Sequence, residues 1–252
     1  MNLNLGDQVA LVTGAGSPNG FGRAIALALA REGCQVAVNS LRAQRAEDTA
    51  AQVQALGRRC LAVPADVTDR AQVVKMVDKV LEEFGRIDIL VNNAGAMLEQ
   101  RPFLEQDEEA WDRELALNLK AALLCTQAVL PAMIAQKRGN IINIASGTVR
   151  VIHPAVSTYS MAKAGLVVFT KQLAKAFISS GIRVNCVAPG WSTDTDFVKG
   201  DKDVIRKRFL PETPLGRGTE PEDVANTVAF LASEVSADIV GQVIFVDGGS
   251  TI

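Results

Sequence analysis

The chain of 252 residues has one tyrosine, one histidine and two tryptophans, and aromatic residues make up only 5% of it. Each such side chain therefore carries weight, because imidazole and phenol are among the groups that move protons in catalysis. Cysteine is sparse as well: Cys34, Cys60, Cys125 and Cys186 stand singly in apolar segments with no C-x-x-C pair. That pattern speaks against a disulfide framework or a metal site and suits reduced, buried thiols. Basic charge is not in excess, with 26 Lys and Arg against 28 Asp and Glu and no Lys/Arg run. Such a chain lacks the field that phosphate backbones require, so nucleic acid is not an expected partner. Residues 121–136 carry no charge, but Thr126, Gln127 and Pro131 interrupt a run already too short to cross a bilayer. This reads as a core or subunit-facing helix, and no membrane association is expected. Met1 to Asp7 has no basic n-region and the apolar run after it is only strand length, so no secretory signal is expected and the chain is placed in the cytoplasm.

What the sequence does have is 48% hydrophobic residues at 21% charge, enough for one large core in a single domain, 1–252. Short β-branched runs alternate with longer amphipathic stretches. Strands are expected at Gln8 to Val12, Gln35 to Asn39, Arg59 to Val63, Ile87 to Val91, Asn140 to Ala145, Ile182 to Ala188 and Gln242 to Val246. Helices are expected between them, among them Gly20 to Arg31, about Asp107 to Gln136 and Ser157 to Ser179. Runs such as Ile141-Ile142 and Val243 to Val246 are apolar throughout, which fits strands covered on both faces. The rhythm predicts an α/β fold: a doubly wound sheet of seven mostly parallel strands with helices on both faces.

Two stretches carry chemistry. The first strand runs into Thr13-Gly14-Ala15-Gly16-Ser17-Pro18-Asn19-Gly20-Phe21-Gly22 and then a helix. Glycines let the backbone turn sharply and approach a phosphate, while free N–H groups at a helix N-terminus favour the anion, so this loop is a dinucleotide-binding candidate. The second stretch is Ser157 to Lys163, which sets Tyr159 and Lys163 four residues apart on one helix face. An ammonium ~4 Å from a phenol, at an effective dielectric of ~20, favours the phenolate by roughly 4 kcal/mol, or about three pKa units. A lone Y-x-x-x-K arises often by chance, so its meaning depends on the company it keeps.

That company resembles the short-chain dehydrogenase/reductase family along the entire chain. The landmarks stand in order: the Gly-rich loop, Asp66-Val67, Asn92-Asn93-Ala94-Gly95, Asn118, Ser146, Tyr159 with Lys163, Pro189-Gly190 and Val246-Asp247-Gly248-Gly249. Ser146 lies thirteen residues before Tyr159 and Asn118 twenty-eight before Ser146, as the family's catalytic tetrad requires. The resemblance implies a single-domain Rossmann-like fold. It also implies Tyr159 as general acid or base, Ser146 holding the substrate oxygen, Lys163 lowering the Tyr159 pKa and holding the ribose, and Asn118 holding a relay water. Cofactor contacts would come from Gly14, Asn19, Gly20, Phe21 and Gly22, from Asp66 and Val67 near the adenine, from Asn93, Ala94 and Gly95, and from Pro189 and Gly190 beneath the nicotinamide. Thr193 or Thr195 would touch the carboxamide, although an ungapped reading puts Asp194 there. Residues of about 190–212 form a substrate lid. His153, between Ser146 and Tyr159, is read as solvated and non-catalytic, in a pocket wall with Thr148, Val149, Ile152, Met97 and Trp191 that implies a largely apolar substrate.

Two departures from the family pattern stand out. The glycine loop has two extra residues around Ser17-Pro18-Asn19, a length similar to that of enoyl-thioester reductases; those place their tyrosine seven residues before the lysine, where this chain has Val156. Reductases of acyl-carrier-protein thioesters often have Arg where Ser180 stands, with Lys137-Arg138 the other basic candidate. The end of the second strand bears on the dinucleotide: NAD-binding folds usually have an acid there, about 20 residues past the glycines, whereas this chain has Ser40, followed by Arg42. A 2′-phosphate would meet no repelling carboxylate, and NADP is favoured, with NAD possible. The expected activity is reversible reduction of a ketone or 3-oxo group, without a metal, in a homotetramer. The alternatives are an NAD-dependent sugar or secondary-alcohol dehydrogenase and a non-catalytic dinucleotide-binding protein.

Overall fold

Period-two alternation of β-branched residues gives strands whose two faces are both apolar. Along β1 (Val9–Val12), Ala10 and Val12 point to one side of the sheet and Val9 and Leu11 to the other, and all four are buried. The same division holds for Val36 and Val38 against Ala37 in β2 (Gln35–Ser40). A computed structural model describes residues 3–192, 195 and 201–252. Its other strands are β3 (Cys60–Pro64), β4 (Ile89–Asn92), β5 (Gly139–Ile144), β6 (Ile182–Pro189) and β7 (Val243–Val246). They form one seven-stranded sheet in the order β3-β2-β1-β4-β5-β6-β7 with every neighbouring pair parallel. The expected "mostly parallel" thus becomes wholly parallel.

Parallel strands need crossovers, and the amphipathic stretches supply them on both faces. One face is covered by α1 (Phe21–Arg31), α2 (Ala43–Ala55) and α8 (Pro221–Ala232), which bring Ile25, Leu29, Val53, Val224 and Val228 into the core. The opposite face carries α3 (Arg70–Phe84), α5 (Ala121–Gln136) and α6 (Ser157–Phe177), with Met76, Val80, Val129, Met133 and Ala174 buried. Short carboxylates set the helix starts. Asp69 accepts from Ala71 N and Gln72 N at the start of α3, and Asp107 accepts from Ala110 N at the start of α4 (Glu108–Leu115).

The long helix expected over Asp107 to Gln136 is divided. Between α4 and α5 the residues Ala116–Lys120 make a π-helical turn centred on Asn118. The whole span Glu108–Gln136 is long and apolar enough to cross a bilayer by composition, but α5 lays Leu124, Cys125, Val129 and Met133 into the core, as expected for a core helix. The sheet's order reverses between β1 and β4, which opens a crevice at the carboxyl ends of these strands. The glycine loop after β1 and the Asn93–Gly95 turn after β4 both lie on that edge.

Candidate active site

Three polar side chains fasten the carboxyl ends of four strands into one shelf. Thr13 Oγ1 donates to Val91 O (3.2 Å) and accepts from Asn93 N and Ala94 N (3.0 and 3.1 Å). Asn93 Nδ2 returns bonds to Thr13 O and Gly14 O at 2.8 and 3.2 Å. Asn39, almost fully buried, accepts from Gly14 N (3.2 Å) and donates to Val63 O and Ala65 O (3.0 and 3.1 Å). Asn93 was expected here, whereas Thr13 and Asn39 were not assigned roles; a polar residue at the end of an otherwise apolar strand is the signal that marks Asn39.

Only glycine fits at the start of the loop above this shelf. Gly14 has φ +64°, and a Cβ there would stand 2.7 Å from Ala94 Cα. The two extra residues close on themselves, since Gly20 N donates to Ser17 O at 3.1 Å. Arg23 Nη2 braces the loop through Gly16 O (3.1 Å). Helix α1 starts at Phe21 behind Gly20 with no side-chain cap, which leaves its first-turn N–H groups for an anion such as a pyrophosphate.

At the end of β2 the Ser40 hydroxyl is buried and accepts from Arg42 N (3.3 Å). A Cβ on Gly16 would lie 2.7 Å from Ser40 Cβ and 2.8 Å from Arg45 Cβ, so loop, strand end and the first turn of α2 meet at one point. Arg42 is exposed beside it. Arg45, one helical turn after Arg42, joins this group without having been expected there. Asp66 uses one carboxylate oxygen to hold Thr68 N and Oγ1 at 2.8 and 2.7 Å, and Val67 is buried next to it.

The tetrad residues converge from β5, α6 and the π-helical turn. Ser146 follows β5; its Oγ accepts from Thr148 N at 3.2 Å and is hydrogen-bonded to the Tyr159 phenol. Tyr159 and Lys163 occupy the first two turns of α6, with only 5% and 3% of their surface exposed. Lys163 Nζ donates to Ile144 O (3.0 Å) and lies 5.7 Å from the centre of the Tyr159 ring. Asn118 Nδ2 donates to Ala96 O (2.8 Å), and its Oδ1 accepts from Ala96 N (3.1 Å). Gly95 is the meeting point, because a Cβ there would stand 2.8 Å from Asn118 Oδ1 and 3.0 Å from Lys163 Nζ.

Electrostatics in this enclosure differ from the sequence expectation. Burial pushes the Tyr159 pKa up, with the Ser146 hydrogen bond opposing and the Glu114 charge adding to the rise. Lys163 is drawn down to about 8, again mainly by burial. The expected depression of the phenol by its neighbour is therefore corrected for the chain alone: desolvation sets the direction upward, and the ammonium bonds a backbone carbonyl. Glu114 was missed altogether. It is completely buried four residues before Asn118, a spacing that puts both on one helix face.

On the substrate side, His153 is half-buried rather than freely solvated, with Nε2 2.7 Å from Arg208 Nη2 of α7 (Lys202–Phe209). That helix lies within the expected lid. Trp191, just past the end of β6, fixes the segment at the end of α7, donating from Nε1 to Thr213 Oγ1 (2.6 Å) and stacking on Phe209 with ring centres 5.9 Å apart. Pro189 ends β6, and Gly190 N donates to Val246 O at 2.9 Å. Thr195 is buried, whereas the expected carboxamide contact at Thr193, like Asp194, lies outside the described residues.

A family model described as Enoyl-(Acyl carrier protein) reductase matches residues 14–251. The chain belongs to the short-chain dehydrogenase/reductase family. As a member it is an oxidoreductase that works with a nicotinamide dinucleotide. The 3-oxoacyl-[acyl-carrier-protein] reductase of Staphylococcus aureus is 40% identical over 241 residues, covering 95% of this chain and 96% of its own length. The cis-4-hydroxycyclohexanecarboxylate dehydrogenase of Sinomonas cyclohexanicum is 40% identical over 245 residues, covering 97% of each chain. A solved structure from Sinorhizobium meliloti, described as a short-chain alcohol dehydrogenase, superposes with a TM-score of 0.93 at 36% identity, covering 99% of this chain and 98% of that one.

The buried lysine yields a stability prediction. Its pKa of about 8 lies below the ~10.4 of an unfolded chain, so the unfolded state holds the proton more tightly. The cost is present in full below about pH 8 and fades as pH rises toward ~10.4. The shift is worth roughly 3 kcal/mol, reduced by about 1 kcal/mol for the lost bond to Ile144 O. Lys163→Met should therefore raise stability by on the order of 2 kcal/mol at about pH 7, and the gain should shrink as pH approaches ~10. Urea denaturation across that range measures it; a gain independent of pH would exclude charge burial as the cause.

Proposed function

We propose that this short-chain dehydrogenase/reductase reversibly reduces a ketone or 3-oxo group to a secondary alcohol with NADPH. The carrying observation is the Tyr159 phenol, hydrogen-bonded to Ser146 at the mouth of the crevice with the Lys163 ammonium buried next to it. The dinucleotide, when bound, supplies or takes the hydride. The chain's own residues do the rest. Ser146 Oγ holds the substrate oxygen as it gains alkoxide character, and Tyr159 gives that oxygen its proton in reduction or takes it back in oxidation. Lys163 keeps a positive charge beside the phenol and orients the ribose hydroxyls. The Asn118 amide is committed to Ala96 and Glu114, so its part is to hold the Gly95 corner and the Lys163 pocket in place. The Lys163 spacing from Tyr159, with Val156 at the position of the enoyl-thioester reductase tyrosine, supports carbonyl rather than enoyl reduction.

The residues of the phosphate loop fit a dinucleotide, through the uncapped α1 and the glycine that alone fits against Ala94. Ser40, Arg42 and Arg45 at the β2 end favour the 2′-phosphate of NADP, since charge-assisted bonds from guanidinium are stronger than neutral ones. For the substrate, the names of the Staphylococcus and Sinomonas relatives point to 3-oxoacyl and cyclic hydroxy-acid classes respectively. Ser180, standing where reductases of carrier-protein thioesters often have arginine, argues against a carrier protein and favours a small free substrate, with Met97, Thr148, Val149 and Ile152 as the candidate wall residues. An NAD-dependent sugar or secondary-alcohol dehydrogenase is the second reading, supported by the dehydrogenase names of the Sinomonas relative and the Sinorhizobium structure.

We assign the enzyme to the cytoplasm as a homotetramer. Leu123 and Ile134 on α5, Met161 and Val168 on α6 and Ile178 just after it remain exposed in the single chain. A groove of about 860 Å³ runs between α6 and the β7 edge, lined by Val167, Val168, Ile178, Val243 and Phe245. Two-fold pairing of these helices would cover such faces.

Three outcomes are expected. Tyr159→Phe should lower turnover by about 10²-fold or more with dinucleotide affinity retained, as read by steady-state kinetics and cofactor titration; near-normal turnover would end the assignment. Ser40→Asp should weaken NADPH binding far more than NADH binding in fluorescence titrations, and a wild type that already prefers NADH would refute the cofactor reading. Light scattering should return four times the chain mass, whereas a monomer at micromolar protein would remove the assembly.

A further inference from the structure

We propose that Glu114 is a positioning residue of the catalytic centre, whose buried carboxylate holds Asn118 and the Leu98–Glu99 turn and sets the balance of charge between Lys163 and Tyr159. The side chain is completely enclosed, an unusual place for a carboxylate. Its Oε2 accepts from Leu98 N (3.0 Å) and Glu99 N (3.2 Å), and its Oε1 from Asn118 Nδ2 (3.1 Å). All of these partners donate, which is the pattern of an ionised, acceptor-only group.

No arginine or lysine pairs with it directly among the described residues. Glu99, the other acid at this turn, is matched by Arg101 at 2.8 Å and Arg113 at 3.3 Å. The charges that face Glu114 are thus Glu99 with its two arginines and Lys163 from α6, and burial pushes the Glu114 carboxyl up while the Leu98 N and Glu99 N bonds and the Lys163 charge oppose that rise; Cys186 of β6 also bears on Lys163, but burial pushes that thiol up to about 12 and leaves it neutral. Two buried groups of opposite sign, Glu114 and Lys163, therefore offset one another inside the enclosure. The sign of the effect on each partner follows. A negative charge favours the ammonium form of Lys163, against the larger effect of burial, and disfavours the phenolate of Tyr159, in the same direction as burial.

Neutralising Glu114 while keeping its shape should therefore lower the pKa of both neighbours. Tyr159 is the only tyrosine of the chain, so the near-ultraviolet phenolate band reports on it alone, without bound dinucleotide. This proposal rests on the assignment of Tyr159 as the acid and base, but the phenol titration does not; loss of that assignment would appear as turnover retained in Tyr159→Phe.

The experiment compares the wild type, Glu114→Gln, Glu114→Asp and Glu109→Gln, the last an exposed acid on the same helix. For Glu114→Gln the phenolate midpoint, and the acid limb of kcat for oxidation of cyclohexanol or another secondary alcohol that the wild type turns over, should both move down by on the order of half a pH unit or more. Glu114→Asp keeps the charge but withdraws its oxygens from the turn, so it should raise KM with the midpoint close to the wild type. Glu109→Gln should change neither. An unmoved midpoint in folded Glu114→Gln, or a shift in Glu114→Asp as large as in Glu114→Gln, would overturn the proposal in favour of a packing role. Should Glu114→Gln fail to fold, the neutral Glu114→Met, of similar volume, takes its place, and an unmoved midpoint and acid limb there would overturn the proposal in the same way.

Discussion

An ammonium taken out of water must be compensated on every side, and the burial of Lys163 imposes that condition on the whole carboxyl edge of the sheet. Its bond to Ile144 O requires β5 to end where it does, and the space for Nζ requires that residue 95 have no Cβ. Gly95 in turn is held by Asn118 through Ala96, and the start of the same loop is held by Thr13 and Asn93 against β1. Hydrogen bonds therefore tie the glycine loop to the Asn93–Ala96 segment and that segment to Asn118, while Lys163 of α6 packs against the same corner at Gly95. Stability is given up for this arrangement, as is common where a site must present a charge in a dry enclosure.

Most of this was readable from the sequence because the family's pattern is a pattern of constraints. Strand ends fell within two residues of expectation, since β-branched runs buried on both faces leave little freedom of register. Ser146, Tyr159 and Lys163 come together as the spacing implied. The energetic reading of Tyr159 did not survive, because a pairwise attraction between phenol and ammonium leaves out desolvation, and here desolvation dominates. Glu114 and Arg45 escaped for a related reason. Each stands in a helix turn with other charged residues, Glu109, Asp112 and Arg113 around the first, Arg42 and Glu47 around the second, and nothing in the local sequence distinguishes the member that turns inward from those that face water.

His153 shows the converse error. As an isolated histidine in a loop it reads as solvated, but α7 brings Arg208 to it from 55 residues away. Long-range pairs of this kind carry no periodic signature. The distance of α7 from the Ser146–Tyr159 segment along the chain hides that the two meet.

The π-helical turn at Ala116–Lys120 has a consequence for helical phase. An extra residue in one turn advances everything after it by about 100° relative to an uninterrupted α-helix. The segment Glu108–Gln136 thereby faces two ways that a regular helix could not face together: upstream, Glu114 is aimed at the Asn118 and Leu98–Glu99 corner, and downstream, Leu124, Val129 and Met133 are aimed at the sheet. Its register is consequently fixed from both ends, so that loss of a single residue within the turn would heal the helix and at the same time rotate one half out of place. Sequence length between Glu114 and Leu124 is, for this reason, as tightly bound to the chemistry as the identity of any residue in it.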